Sequence, residues 1–379
     1  MMISEMKAHE PSVVDLAYQA RVSGSESLLN GLTADAQAGL TSYSLERIVG
    51  YGVDYADAVE FRAMVLSGWE WQAAAMLLAE RCLADDWKTC ATKMTQCYRA
   101  AALMRIGQTL MVEDKLERSE VYARATDLFE SAATLSGKCE HLQISTPNGM
   151  VGAWLYPSSE RSIGSVIVHG GIEGWAQDFS QMGEALATRR IDTLMLDGPG
   201  QGETRFLHGH YLGTEWRATY RTVIDFLEAR APMRPIGFVG NSMGGSIAMA
   251  VTNEDPRISA CVNVSGPFAP WLAPQDSPVF HKMTTMANAS SIEETLGVFS
   301  TIKPVEPGPN DDYRFLLLQG QEDQQIPDEV AAICWEQAPT PNKEMINFSD
   351  GDHCIYRHAT DRDMVIADWI HAQFAEGVA

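Results

Sequence analysis

Residues 236–245 read Ile-Gly-Phe-Val-Gly-Asn-Ser-Met-Gly-Gly, an apolar run that ends in Gly240-Asn241-Ser242-Met243-Gly244 and continues into helix-forming residues. A serine between two such glycines suits a sharp strand-to-helix turn, because a side chain at either glycine would collide as the backbone doubles back. The turn presents the Ser242 hydroxyl at the N-terminus of the next helix. The competing role for such a residue is a plain helix cap. Serine attacks a carbonyl only once a base has taken its proton, and a neutral imidazole oriented by a carboxylate is the usual means. The chemistry indicated is acyl transfer through a covalent serine intermediate.

The partners are sought downstream, at the ends of later strands. A strand expected over 315–319 runs into Gly320-Gln-Glu-Asp-Gln-Gln-Ile-Pro327, which places Asp323 in the following loop. Another over 345–348 runs into Ser349-Asp-Gly-Asp-His-Cys354, which places His353 in the next loop. Both then stand at the carboxyl edge of a sheet beside Ser242. Glu322, Asp350 and Asp352 compete for the acid role; the Gly-x-x-Asp spacing and the Pro that follows favour Asp323.

The oxyanion that forms in such a reaction needs N–H donors. One is expected from the backbone of Met243, the residue after the nucleophile. The second is expected from the loop His169-Gly-Gly-Ile-Glu-Gly174, where Gly171 and Ile172 are equal candidates. Glu173 and Trp175, in or next to that loop, and Phe268 and Trp271, after a strand at 260–265, are candidates for substrate contact.

Two other clusters are set aside. His208-Gly-His210 has no third ligand nearby in sequence, so no metal is expected. Asp197-Gly-Pro-Gly-Gln-Gly-Glu-Thr204 follows a strand, but the third glycine of a dinucleotide loop would fall on Glu203 or Arg205. It reads as a tight turn, and no cofactor is expected.

The elements that must hold these residues change character along the 379-residue chain. Up to Gly137, apolar residues recur at three- and four-residue intervals over 56–67, 69–84, 87–108 and 119–135, as helices require. From 138 onward, short β-branched runs at 140–145, 151–156, 165–169, 193–197, 236–240, 260–265, 315–319 and 345–348 alternate with helical stretches. Pro147-Asn-Gly149 between the first two marks a hairpin. The expected fold is α/β, a mostly parallel eight-stranded sheet with helices on both faces, preceded by an all-helical part over 1–137. Residues 266–304 carry Phe268, Trp271, Phe280, Met283, Met286 and Phe299 without a strand. They read as a cap-like segment, or equally as a long connection with one helix at 291–299.

Composition narrows the function. With 28 basic against 50 acidic residues and a net charge of -22, the surface repels phosphate backbones and anionic lipid, so neither nucleic acid nor membrane is an expected partner. Residues 1–7 show neither a basic nor an apolar leader region. Seven scattered cysteines with no Cys-x-x-Cys pair fit neither a disulfide framework nor a zinc site. A soluble cytoplasmic protein is expected. Both parts are acidic, with 12 basic against 19 acidic residues up to Gly137 and 16 against 31 beyond it. Apolar contact through Trp69, Trp71, Met76, Leu77, Trp87, Met94 and Tyr98 is therefore the expected glue, either roofing the site or forming a remote dimerisation module.

The Gly-x-Ser-x-Gly turn, the His-Gly-Gly loop and the Ser, Asp, His order together resemble the α/β-hydrolase superfamily. More narrowly, Asp197-Gly-Pro-Gly-Gln-Gly-Glu203, Gly351-Asp-His-Cys354 and the helical N-terminal part resemble the group of 2,6-dihydroxypseudooxynicotine hydrolase and the fermentation-respiration switch proteins. The resemblance implies a cofactor-independent hydrolase of a small molecule, a homodimer, a helical part over the active site and, in some members, cleavage of a carbon-carbon bond beside a ketone. Such members can carry an additional acidic residue after the strand that follows the serine; here 266–272 offers none before Asp276. Cleavage of a β-diketone or acyl phenol, or of an ester, lactone or thioester, and a non-catalytic regulatory role on the same fold are the functions to be weighed.

Overall fold

Gly137 adopts a left-handed conformation, φ 64°, at the end of a 21-residue helix, and the chain passes there from helices to strands. The computed structural model describes residue 29, residues 31–84 and residues 88–376. Residues 1–7 and Trp87 lie outside the described residues.

Among the described residues, six α-helices come first: α1 (Ala34–Ser42), α2 (Leu45–Gly50), α3 (Tyr55–Leu66), α4 (Trp71–Leu83), α5 (Cys90–Gly107) and α6 (Leu116–Ser136). The first two extend beyond what periodicity indicates. Their start signals are Thr33 and Ser44, whose hydroxyls accept from the backbone N–H of Ala36 and Arg47.

Eight strands follow: β1 (Glu140–Thr146), β2 (Gly149–Tyr156), β3 (Gly164–His169), β4 (Ile191–Leu196), β5 (Ile236–Asn241), β6 (Ile258–Val264), β7 (Arg314–Gly320) and β8 (Lys343–Phe348). They form one sheet in the order β1-β2-β4-β3-β5-β6-β7-β8. Thr146 pairs with Gly149, so Pro147 and Asn148 are the hairpin loop. β2 is antiparallel to both neighbours, and every pairing from β4 to β8 is parallel. Residues from β3 to β7 are buried almost throughout, as a sheet covered on both faces demands.

Helices α7 (Ser180–Ala187) and α14 (Ala359–Glu376) cover one face. On the other lie α9 (Trp216–Arg230), α10 (Met243–Glu254) and α13 (Asp328–Gln337). Alternate residues divide accordingly: Val239 joins the first core and Phe238 the second. A short helix α8 (Gly202–Phe206) follows β4. Between β6 and β7 stand two helices, α11 (Pro278–Met286) and α12 (Ile292–Phe299), where the connection reading expects one. Ser277 caps α11 and Pro278 takes its first turn, a start signal that the apolar pattern alone does not reveal.

The boundary between the helical part and the sheet departs from expectation. Trp69 and Leu77 are exposed, and Trp71 packs on Phe61 and donates to the Ile106 carbonyl inside the helical part. The apolar contact comes instead from Phe129 against Trp154, Tyr122 against Trp175 and Phe206, and Tyr51 against Tyr356. Ion pairs also cross it. Arg105 Nε meets Asp178 at 2.7 Å, with side chains only 5% and 7% exposed. Arg118 meets Glu173 at 3.3 Å, and Asp114 pairs with Arg205. Net charge misses these pairs because two parts of like sign can still present opposite charges at the contact.

Candidate active site

β5 ends in the expected turn. Ser242 sits at φ 54°, ψ -129°, a conformation an L-residue occupies only when its surroundings enforce it, and α10 starts at the next residue. A Cβ on Gly240 would run into the backbone of Gly244, and one on Gly244 into the carbonyls of Gly170 and His169, so both glycines are required where the chain reverses.

Ser242, Asp323 and His353 come together at the carboxyl edge. His353 Nε2 lies 3.0 Å from Ser242 Oγ, and Nδ1 lies 2.9 Å from Asp323 Oδ2. Asp323, with a fully buried side chain, uses Oδ1 to accept from the backbone N–H of Gln325 and Ile326 at 2.8 and 2.9 Å. Since its other oxygen is thus fixed, Oδ2 has one direction left, toward the imidazole. The competing acids stand elsewhere. Glu322 pairs with Arg357, Asp350 with His358, and Asp352 accepts from the Arg357 N–H.

Burial opposes protonation of His353, while Cys354 and Asp323 favour it; the balance lies above the ordinary histidine range, at about 10. A thiol exerts that pull only when ionised, whereas a carboxylate is charged throughout the neutral range, so the upward direction rests on Asp323.

Gly171 lies against the serine: a Cβ there would stand 2.9 Å from Ser242 Cβ and 3.3 Å from Oγ. Its loop is fixed from behind. Gln201 Nε2 donates to the carbonyls of Gly170 and Gly171, at 3.0 and 2.5 Å, while Gln201 Oε1 accepts from the Gly198 N–H. A trans peptide points its N–H opposite to its C=O. Holding those carbonyls therefore turns the N–H groups of Gly171 and Ile172 away from Gln201. His169 adds a second hold, with Nδ1 2.7 Å from the Gly170 carbonyl and Nε2 2.6 Å from Tyr220 Oη. Burial drives this imidazole down to about 4, so it is neutral; Nδ1–H donates and Nε2 accepts from the tyrosine.

Gln201 and Asp197 are the residues that sequence reasoning passes over by reading 197–204 as a turn. Asp197, raised by burial to about 7, accepts from the N–H of Ala176 and Glu203 and from Tyr122 of the helical part. The signal was a glutamine set among three glycines after the strand next to β3.

The other candidates are placed as follows. Glu173 Oε1 lies 3.3 Å from both Arg118 and Lys282, joining the helical part, the loop and α11. Trp175 is buried and donates to the Ile172 carbonyl. Phe268 and Trp271 are half-buried against the second core, and Lys303 lies 5.7 Å from the Trp271 ring centre. His208 hydrogen-bonds Glu203 and His210 the Met150 carbonyl. Among the described residues no group of three His, Cys, Asp or Glu could hold a metal ion, and no helix is long and apolar enough to cross a membrane.

Comparison with known proteins bears on the fold that carries these residues. The family model described as serine aminopeptidase, S33 matches residues 163–303. A curated 2,6-dihydropseudooxynicotine hydrolase of Paenarthrobacter nicotinovorans is 25% identical over 294 residues, covering 73% of this chain and 76% of that protein. That span exceeds the sheet part alone, so it enters the helices. Hydrolase ORFZ of Pyricularia oryzae is 27% identical over 63% of this chain and 62% of its own length. Among solved structures, the crystal structure of 2,6-dihydroxy-pseudo-oxynicotine hydrolase is similar in fold, with a TM-score of 0.71, 22% identity, and coverage of 88% of this chain and 96% of that one. The chain has the α/β-hydrolase fold, with a helical region before its sheet.

Proposed function

We propose that the protein is a serine hydrolase in which Ser242 is the nucleophile, His353 the general base and acid, and Asp323 the group that orients His353. The observation that carries this reading is the unbroken hydrogen-bonded chain from Asp323 through His353 to Ser242, with Ser242 on a strained turn. Ser242 Oγ attacks a carbonyl carbon as His353 takes its proton. The N–H groups of Met243 and of Gly171 or Ile172 receive the charge on oxygen. As the tetrahedral intermediate collapses, His353 returns the proton to the leaving group, and water then releases the acyl group.

The bond proposed is a carbon-carbon bond beside a ketone, in a β-diketone or acyl phenol. The similarity to the 2,6-dihydropseudooxynicotine hydrolase, which spans helices and sheet alike, supports it. The helical part and residues 266–304 would roof the site, with Phe268 and Trp271 as apolar walls that exclude water from the acyl-enzyme. The seven free cysteines fit a reducing, cytoplasmic setting, and the resemblance supports a homodimer.

Purified protein offered aromatic β-diketones and matched aryl esters, with product masses followed, tests this. The expected result is addition of one water to the diketone, giving a carboxylic acid and a ketone faster than the ester is cleaved. Ester turnover alone would make the protein an esterase and overturn the assignment of the bond.

A further inference from the structure

His353 opens a turn whose next two residues, Cys354 and Ile355, both have left-handed backbones, φ 58° and 59°. Such a conformation is unfavourable for any residue with a Cβ, and most so for a β-branched one. Two in succession persist only where the surroundings over-determine them. Two buried side chains supply that constraint. Ser265 Oγ, just past β6, accepts from the Cys354 N–H at 3.1 Å, and this is the peptide bond that leaves His353. Arg362 of α14 donates through Nη1 to the Cys354 carbonyl at 2.7 Å. Both residues are 1% exposed. Arg362 is itself held by Asp363, 2.8 Å from its Nε, and by the Tyr356 ring beneath its guanidinium. The Ile355 N–H closes the turn on the Asp352 carbonyl at 2.8 Å.

Ser265 has a left-handed backbone too, φ 52°, and its N–H donates to Leu318 of β7. Its hydroxyl is therefore anchored to the strand whose end leads to Asp323. The peptide that follows His353 and the loop that carries Asp323 share one strand end as their reference.

We propose that Ser265 and Arg362 are positioning residues that clamp the Cys354 peptide units and so fix the His353 imidazole between Asp323 and Ser242. The inference rests on the serine-hydrolase reading above and adds to it two residues that touch neither substrate nor reacting atoms. Without the clamp the turn relaxes, the imidazole swings off Asp323 Oδ2, and the carboxylate loses its hold on the histidine proton.

The test follows the rate of covalent labelling by a fluorophosphonate probe against pH, with the His353 titration measured by NMR on histidine-labelled protein. The variants are Ser265→Ala, Ser265→Gly, whose backbone suits the left-handed conformation, and Arg362→Lys. Ser165→Ala, a buried serine at the far end of β3, controls for lost packing. Ser265→Ala and Ser265→Gly are expected to keep native circular dichroism and to label about 10- to 100-fold more slowly, as displacement of a reacting group by about an ångström does. Their His353 titration moves down toward the ordinary histidine range, while Ser165→Ala moves neither readout. Folded Ser265 variants with wild-type rate and titration overturn the clamp while Ser242 still labels. Wild-type protein that fails to label overturns the serine-hydrolase reading itself.

Discussion

Beneath Ser242 the sheet positions the three side chains proposed to react from the ends of β5, β7 and β8, through turns only a few residues long. On the other side, the helical residues 34–136 reach the neighbouring loops with long side chains: Arg105 to Asp178, Arg118 to Glu173, and Tyr51 against Gly174. The first arrangement is set by backbone geometry. The second is set by buried charge, which costs several kcal/mol per ion to desolvate and is offset only while both partners are present. Under the proposed mechanism the sheet side governs chemistry, and the helical side governs whether the loops are held in place.

Substitutions on each side separate these two roles. Asp323→Asn is expected to give the largest effect. It removes the carboxylate without removing volume, and a fall in kcat of about 10⁴ at neutral pH is expected in a protein that still folds. It also shifts the pH dependence. In the native protein the base must be neutral, so labelling or turnover rises with pH through the His353 titration, which Asp323 holds above the ordinary histidine range. Without the carboxylate that limb moves to lower pH. A limb that stayed in place would show that Asp323 does not act on His353.

Arg105→Met acts on the other side. It leaves Asp178 buried without its cation, and a loss of about 3–5 kcal/mol in stability is expected, read as a lower urea midpoint. Its activity at low temperature, where the protein remains folded, should fall far less than that of Asp323→Asn. Equal loss of activity in a folded Arg105→Met would mean that the helical side shapes the chemistry directly. Gln201→Leu lies between the two regions and is expected to have the smallest effect. Releasing the Gly170 and Gly171 carbonyls should lower kcat about 10-fold to 100-fold, below the cost of deleting an oxyanion donor outright, with little change in KM. A change confined to KM would place Gln201 in substrate binding instead.

Much of the sheet side was legible in the sequence because its determinants are local. All eight strands fall within two or three residues of the β-branched runs, and Gly240, Ser242 and Gly244 announce their own turn. Asp323 could be chosen over Glu322, one residue away, on its Gly-x-x-Asp spacing and the Pro that follows, and in the fold it accepts from the N–H groups of Gln325 and Ile326 ahead of that Pro. The helical side was less legible. Arg105 and Asp178 are 73 positions apart, and nothing in either segment names the other. Trp69 and Leu77 looked like contact residues by type but face solvent, since size and apolarity report a preference for burial and not its location. The clamp on His353 was hidden for the same reason, with Ser265 lying 89 positions before the residue it holds.

The account stands on Ser242 being an activated nucleophile, and mass spectrometry of the protein after brief exposure to a fluorophosphonate measures that most directly. The expected result is a single adduct on the peptide carrying Ser242, formed faster as pH rises, and no adduct in Ser242→Ala. Equal labelling of Ser242→Ala, or none in the native protein, would contradict it.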